Sequence, residues 1–293
     1  MLRREFILLL GSAAAWPLTA RAQTQANPEP ASDDIGQVAS LEGSATLTRG
    51  TGAATALKVN DAIRKNDLLQ TAADSILAVT FDDETTFSLR ANASFVVNDF
   101  VYQEGGKGNK ALFNVARGTV MFVASQVART GDMKITTPTA AIGIRGTTGM
   151  IEVPEGGNAG TAAEPRVKLY ADADGRVGRI EVFDRQGARL GLLNRSASAF
   201  AIRPGVGGRM AAVPFQITPQ ELARDRGMVQ RLFAFHAIGR QMAIRRRQLR
   251  RQNLRPPGGP QQQNRNPRPQ PNQPGRPRQN RQRPNPFAPR ERP

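Results

Sequence analysis

Two acidic runs, one histidine and two arginine-bearing segments are the places where this chain could do chemistry. Asp82, Asp83 and Glu84 are consecutive carboxylates. Such a pair could exchange protons or help to hold calcium, but calcium loops take oxygens from alternating positions. Three acids in a row are therefore read as a solvated turn. Asp172 and Asp174, followed by Gly175, have the alternation a calcium loop starts with. The twelfth position of that pattern is Phe183 instead of Glu, so metal binding there is not expected. His236, the single histidine, sits beside Phe233 and Phe235 with no nucleophile motif near it, and is read as a packing residue. Arg145, Gly146 and Thr147 could grip a carboxylate or phosphate, the glycine letting backbone approach a partner. The plainer reading of Arg145 is a guanidinium that caps strand-end carbonyls. Arg245, Arg246, Arg247, Arg250 and Arg251 are candidates for binding an anionic partner.

Composition narrows the function classes. With no cysteine and one histidine in 293 residues, a disulfide framework, a thiol nucleophile, a Cys-ligated metal and a multi-His metal site are excluded. The sequence has no G-x-S-x-G, P-loop, dinucleotide fingerprint or H-E-x-x-H. No cofactor and no enzymatic activity are expected; an Asp/Glu-based carbohydrate-active enzyme stays as an alternative. The net charge of +17 is unevenly placed: residues 23–239 carry 23 basic and 22 acidic side chains, whereas residues 240–293 carry 15 arginines and one glutamate. The basicity belongs to the C-terminal end.

The elements that would position these residues fall into blocks. Residues 1–22 read as an export signal: Arg3 and Arg4, an 11-residue apolar stretch from Phe6 to Trp16, and Ala20 and Ala22 as the small residues before cleavage. That stretch is shorter than the roughly 20 apolar residues a membrane span needs. Arg-Arg-Glu-Phe-Ile at 3–7 also resembles a twin-arginine signal, so either export route fits. Export would place the product in the periplasm or outside the cell. Residues 23–35 read as a linker. From Gly36 to about Pro214, short β-branched bursts punctuated by Gly, Asn and Asp predict an all-β unit, a sandwich or a solenoid-like stack. Expected strands include Asp67–Thr71, Ile76–Phe81, Thr86–Leu89, Leu112–Val115, Gly118–Val123, Val177–Phe183 and Arg189–Leu193. Thr218, Pro219 and Glu221 form a capping box that opens a helix within 215–254, with Leu222, Val229, Leu232, Phe233, His236 and Met242 as its docking stripe. Gly227 and Gly239 should weaken it by about 1 kcal/mol each. Residues 255–293 hold 12 prolines and read as a disordered, basic Pro/Arg/Gln/Asn-rich tail.

The order of motifs in the β region resembles the FecR domain. Gly36-Gln37-Val38 through Gly43-Ser44-Ala45 resembles its opening strand pair. Asn66–Thr71, Ser75–Phe81 and Gly118–Met121 resemble successive strands, and Thr137–Thr147 resembles its closing T-P-T…R-G-T element. Residues 36–150 would be the FecR-like domain and 151–214 a β extension of the same unit. One departure is local: where the family turn has glycine, this chain has Glu84, so a turn needing positive φ would be strained or of another type. Regulators of this family join an anti-sigma segment, a membrane span and this domain, and sense an occupied siderophore transporter. Here a cleavable signal stands in place of the first two parts. The resemblance therefore implies an exported, non-enzymatic binding or scaffolding module of the cell envelope. A periplasmic signalling component that works with a separate membrane protein is the alternative. The expected partner is an envelope protein or an anionic polymer or lipid surface. Nucleic acid is the weaker partner, because the tail has one aromatic residue for stacking.

Overall fold

A computed structural model describes residues 33–155 and 164–253. The expected signal, most of the linker and the tail lie outside the described residues. The chain divides into two compact units, Met1–Leu249 and Arg250–Pro293.

Among the described residues, seventeen strands form in chain order. The first nine are β1 (Asp34–Glu42), β2 (Ala45–Arg49), β3 (Thr55–Ala56), β4 (Ala62–Arg64), β5 (Asp67–Thr71), β6 (Ile76–Phe81), β7 (Thr86–Leu89), β8 (Ser94–Val101) and β9 (Lys110–Val123). A short helix, α1 (Gln126–Thr130), precedes β10 (Asp132–Thr136), β11 (Ala141–Arg145) and β12 (Thr148–Val153). Then come β13 (Arg166–Tyr170), β14 (Arg179–Phe183), β15 (Arg189–Leu193), β16 (Ser198–Pro204), β17 (Met210–Phe215) and the long helix α2 (Pro219–Asn253).

The strands make a two-layer sandwich, which decides between the two expected architectures. One layer runs β4-β1-β6-β7-β9-β12-β13-β16-β17. The other runs β3-β2-β5-β8-β9-β10-β11-β14-β15. Strand β9 belongs to both: Lys110–Arg117 pairs with β8, and Val120–Val123 pairs with β7. The expected break between two strands at 112–115 and 118–123 is therefore a bend within one. Gly118 makes it, at φ +87°, where a Cβ would lie 2.5 Å from Ala93 Cα. The interior is phenylalanine-rich. Phe81, Phe87, Phe95, Phe113 and Phe122 are fully buried, with Phe87 and Phe113 ring centroids 4.7 Å apart.

Other differences from the expected elements have identifiable causes. Strand β1 starts at Asp34, inside the expected linker, because the ladder with β4 reaches that far, with Asp34 opposite Arg64. Strand β14 starts at Arg179 and not Val177, since its pairing with β11 ends at Arg179 opposite Arg145, the last residue of β11. Strands β3, β4, β11, β12 and β17 were not expected as strands.

Helix α2 has 35 residues and is about 52 Å long; its residues 222–242 lie on the outer face of the first layer. Val229 and Leu232 pack on Met121, Val123, Met150 and Tyr170, and Phe235 packs on Ala39, Ile76 and Ala78. Strand β6 is consequently buried at all six positions: Leu77, Val79 and Phe81 face the interior, Ile76 and Ala78 face the helix. The capping box forms as expected, with Glu221 N donating to Thr218 Oγ1 and Thr218 N donating to Glu221 Oε2, both at 3.2 Å.

Candidate functional site

The acidic turn between β6 and β7 is not solvated, which corrects the expectation for it. Asp83 is fully buried. Its carboxylate accepts from Thr85 N at 2.9 Å, Thr85 Oγ1 at 2.7 Å and Val127 N at 3.0 Å, tying the turn to α1. Burial pushes the Asp83 carboxyl up, against the pull of those donors. Glu84 does take the left-handed conformation that glycine would favour, at φ +71°. Two arginines of α2 hold it there: Arg240 Nε lies 3.0 Å from Glu84 Oε2, and Arg247 pairs with Oε1. Arg246 Nε donates to Asp82 Oδ1 at 2.8 Å, and Arg247 Nη1 donates to Asp82 O and to Tyr102 Oη. Glu42 adds an ion pair with Arg231 near the middle of the helix.

Farther along the same face His236 Nδ1 lies 3.1 Å from Thr86 Oγ1, which lies 2.9 Å from Thr80 Oγ1. Burial pushes the imidazole down; Glu84 opposes that, and Arg240 and Arg129 reinforce it. Its surroundings are those of a packing residue. Toward the start of the helix, Asp225 and Lys168 are both wholly buried and 2.9 Å apart. Tyr170 Oη donates to the same Asp225 oxygen at 2.6 Å, and Lys168 also reaches Glu152 at 3.2 Å. Burial, then Asp225, push the Tyr170 hydroxyl far up, so it stays a donor.

This Lys168–Asp225 network was missed at the level of sequence, although a signal existed. Asp225 lies three residues past Leu222 and four before Val229, on the docking stripe itself. A carboxylate in that phase needs a buried partner. Lys168 stands two residues before Tyr170, hence on the same strand face.

Arg145 Nη1 donates to Gly131 O at 2.8 Å, at the end of β11. Gly146 has φ +52°, and Thr147 is buried with Oγ1 donating to Tyr170 O at 3.2 Å. These three line the turn into β12. Asp172 Oδ1 accepts from Thr148 Oγ1 at 2.8 Å, and burial pushes its carboxyl up. Asp174 accepts from Arg176 Nε at 2.7 Å. Arg246 and Arg247 are engaged with the acidic turn, whereas Arg245 is exposed. Arg250 and Arg251 belong to the second compact unit.

Residues 67–167 match the model of the family described as FecR protein. The chain thus carries a FecR-type segment over about a third of its length. Two crystal structures of "a putative anti-sigma factor from Parabacteroides distasonis ATCC 8503" are similar at 11% identity, with TM-scores of 0.36 and 0.35. Each similarity covers 51% of this chain, and this chain spans 60% of the length of those solved chains. No curated protein matches the sequence. Among the described residues, no helix is long and apolar enough to cross a membrane.

Proposed function

We propose that the protein is an exported, non-enzymatic module of the cell envelope that binds or scaffolds through a FecR-type β sandwich and attaches to an anionic partner through its arginine-rich C-terminal end. The observation that carries the reading is the FecR match over residues 67–167, in a chain whose first 22 residues have the pattern of an export signal. Within this reading the arginines divide. Arg240, Arg246 and Arg247 hold the helix on the sandwich, and the arginines of 255–292 carry the attachment. The partner is an anionic polymer or lipid surface, or an envelope protein.

The FecR match also favours a second reading, a signalling component that works with a separate membrane protein. One experiment separates the two. The mature protein, with and without residues 255–293, is used to capture partners from envelope extract at low and high salt. Capture of anionic polymer or lipid that needs the tail and fades toward 1 M salt, where the Debye length is about 3 Å, supports attachment. Salt-resistant capture of a membrane protein by both forms supports signalling. Salt-resistant capture of polymer by the tail-less form overturns the proposal for the tail.

A further inference from the structure

Between α1, the Asp172–Arg176 turn and α2 lies a cleft of about 320 Å³, within the size range of small-ligand pockets. Val123, Ala124 and Phe233 give it an apolar floor, and Gln126, Arg129 and Arg240 stand in its wall. The charged groups are unequally satisfied. Glu84 is held by Arg240 and Arg247, Asp174 by Arg176, and Asp172 accepts from Thr148. The Arg129 side chain is exposed and, among the described residues, meets Asp172 and Asp174 through its charge, with no hydrogen bond to either. Its five N–H donors are available in the planar fork that matches a carboxylate or phosphate.

The neighbouring R-G-T turn sets the position of Arg129. A Cβ on Gly146 would lie 3.0 Å from Arg129 Cγ, so the stem of Arg129 runs over the one residue without a side chain. Thr147 O accepts from Ala124 N at 3.1 Å, which fixes the floor against the same turn. The strained residue of the molecule's acidic turn, Glu84, is at the rim, and such conformations concentrate at ligand sites.

We propose that this cleft binds a small ligand through an oxyanion, a carboxylate or a phosphate, gripped by Arg129 with Arg240 beside it. Gln126 donates to the same ligand, and Phe233 covers its apolar part. Gly146 is a positioning residue: it shapes the path of Arg129 without touching the ligand. The site is separate from the tail and does not rest on the tail's role.

The single histidine makes the test direct, because His236 lines the cleft and its ring Cε1–H gives one proton NMR signal from the whole chain. Inorganic phosphate and, separately, acetate are titrated into the mature full-length protein in Tris buffer at constant ionic strength. A saturating shift of the His236 signal is expected. Its half-point should rise about ten-fold or more in Arg129→Gln, rise less in Arg129→Lys, and stay unchanged in Arg209→Gln, outside the cleft. Saturation by phosphate alone assigns a phosphate ligand; saturation by acetate assigns a carboxylate. Circular dichroism confirms that the variants fold. No saturating shift with either anion, or an equal shift in Arg129→Gln, overturns the proposal, the latter because anions on the arginine-rich tail would produce it.

Discussion

Two glycines of the same helix should respond to alanine with opposite signs. Gly227 has no atom within 4 Å of the position a Cβ would take, whereas a Cβ on Gly239 would meet Thr80 Oγ1 at 1.8 Å and Thr80 Cβ at 2.7 Å. Gly227→Ala therefore gains helix propensity and nothing else, about 1 kcal/mol. Gly239→Ala gains the same propensity but cannot be housed. Thr80 is fully buried in β6 and bonded to Thr86, so it cannot turn aside. The helix must retreat from the 1.8 Å approach toward the 3.4 Å of an ordinary contact. That loosens Val229, Leu232 and Phe235 against the sheet. Overpacking of this kind costs about 1–3 kcal/mol, and the lost contacts carry the net effect to roughly 2 kcal/mol of destabilisation. For a unit of this size each kcal/mol moves the melting midpoint by about 2–4 °C. Thermal unfolding followed by circular dichroism should show Gly227→Ala melting about 2–4 °C higher and Gly239→Ala about 4–8 °C lower. Thr80→Ala removes the nearest atom and leaves Cβ, so it should rescue Gly239→Ala in part. If both alanine variants gain stability alike, the helix does not seat on β6 through Gly239 and the docking argument fails.

Further outcomes follow from the helix contacts. Lys168→Met leaves the buried Asp225 with Arg224, at 3.5 Å, as its one remaining cation among the described residues and should cost about 3 kcal/mol in urea unfolding, whereas Lys168→Met with Asp225→Leu should recover most of it; equal losses would mean the pair is not buried. His236 has its imidazole pushed below the ordinary 6.5 by burial, so the unfolded chain takes up the proton first. Its share of stability is present above pH 6.5 and is lost as pH falls below that value. Unfolding at pH 7.5 and 5.5 should show a smaller acid loss in His236→Gln than in the parent, and an identical loss would refute the assignment. Glu84→Gly relieves a left-handed φ but removes the partner of Arg240 and Arg247. Hydrogen exchange should quicken in 240–249, and unchanged protection would show that these ion pairs do not hold the helix.

How much of this was legible in the sequence depends on which neighbour decides each feature. Strands β5, β6, β7 and β15 match their expected bounds to the residue, because their limits are set by local turn chemistry such as Asn66 and Asp74, both at positive φ. Strands β11 and β12 contain Gly143 and Gly149 and flank Gly146, and glycine is depleted in strands. Gly149 is needed as the second residue of β12 because a Cβ there would meet the Phe122 ring, a contact between residues distant in sequence. The weak alternation of Ile76–Phe81 has the same origin, since a strand covered on both faces has no polar face to show.

The acidic turn carries this lesson furthest toward function. In the sequence, Asp82, Asp83 and Glu84 look like a solvated acid run, and the arginines from 240 onward look like one polycation. In the fold, three of those arginines neutralise that turn across more than 150 residues of chain. Charge that was counted toward an anionic partner is thereby assigned to helix docking. A partner that competes for Arg246 and Arg247 has to displace partly buried ion pairs. Attachment should accordingly depend on the tail in proportion to its arginines, with little contribution from Arg246 and Arg247. Replacing those two should register first as loosening of α2 on the sandwich.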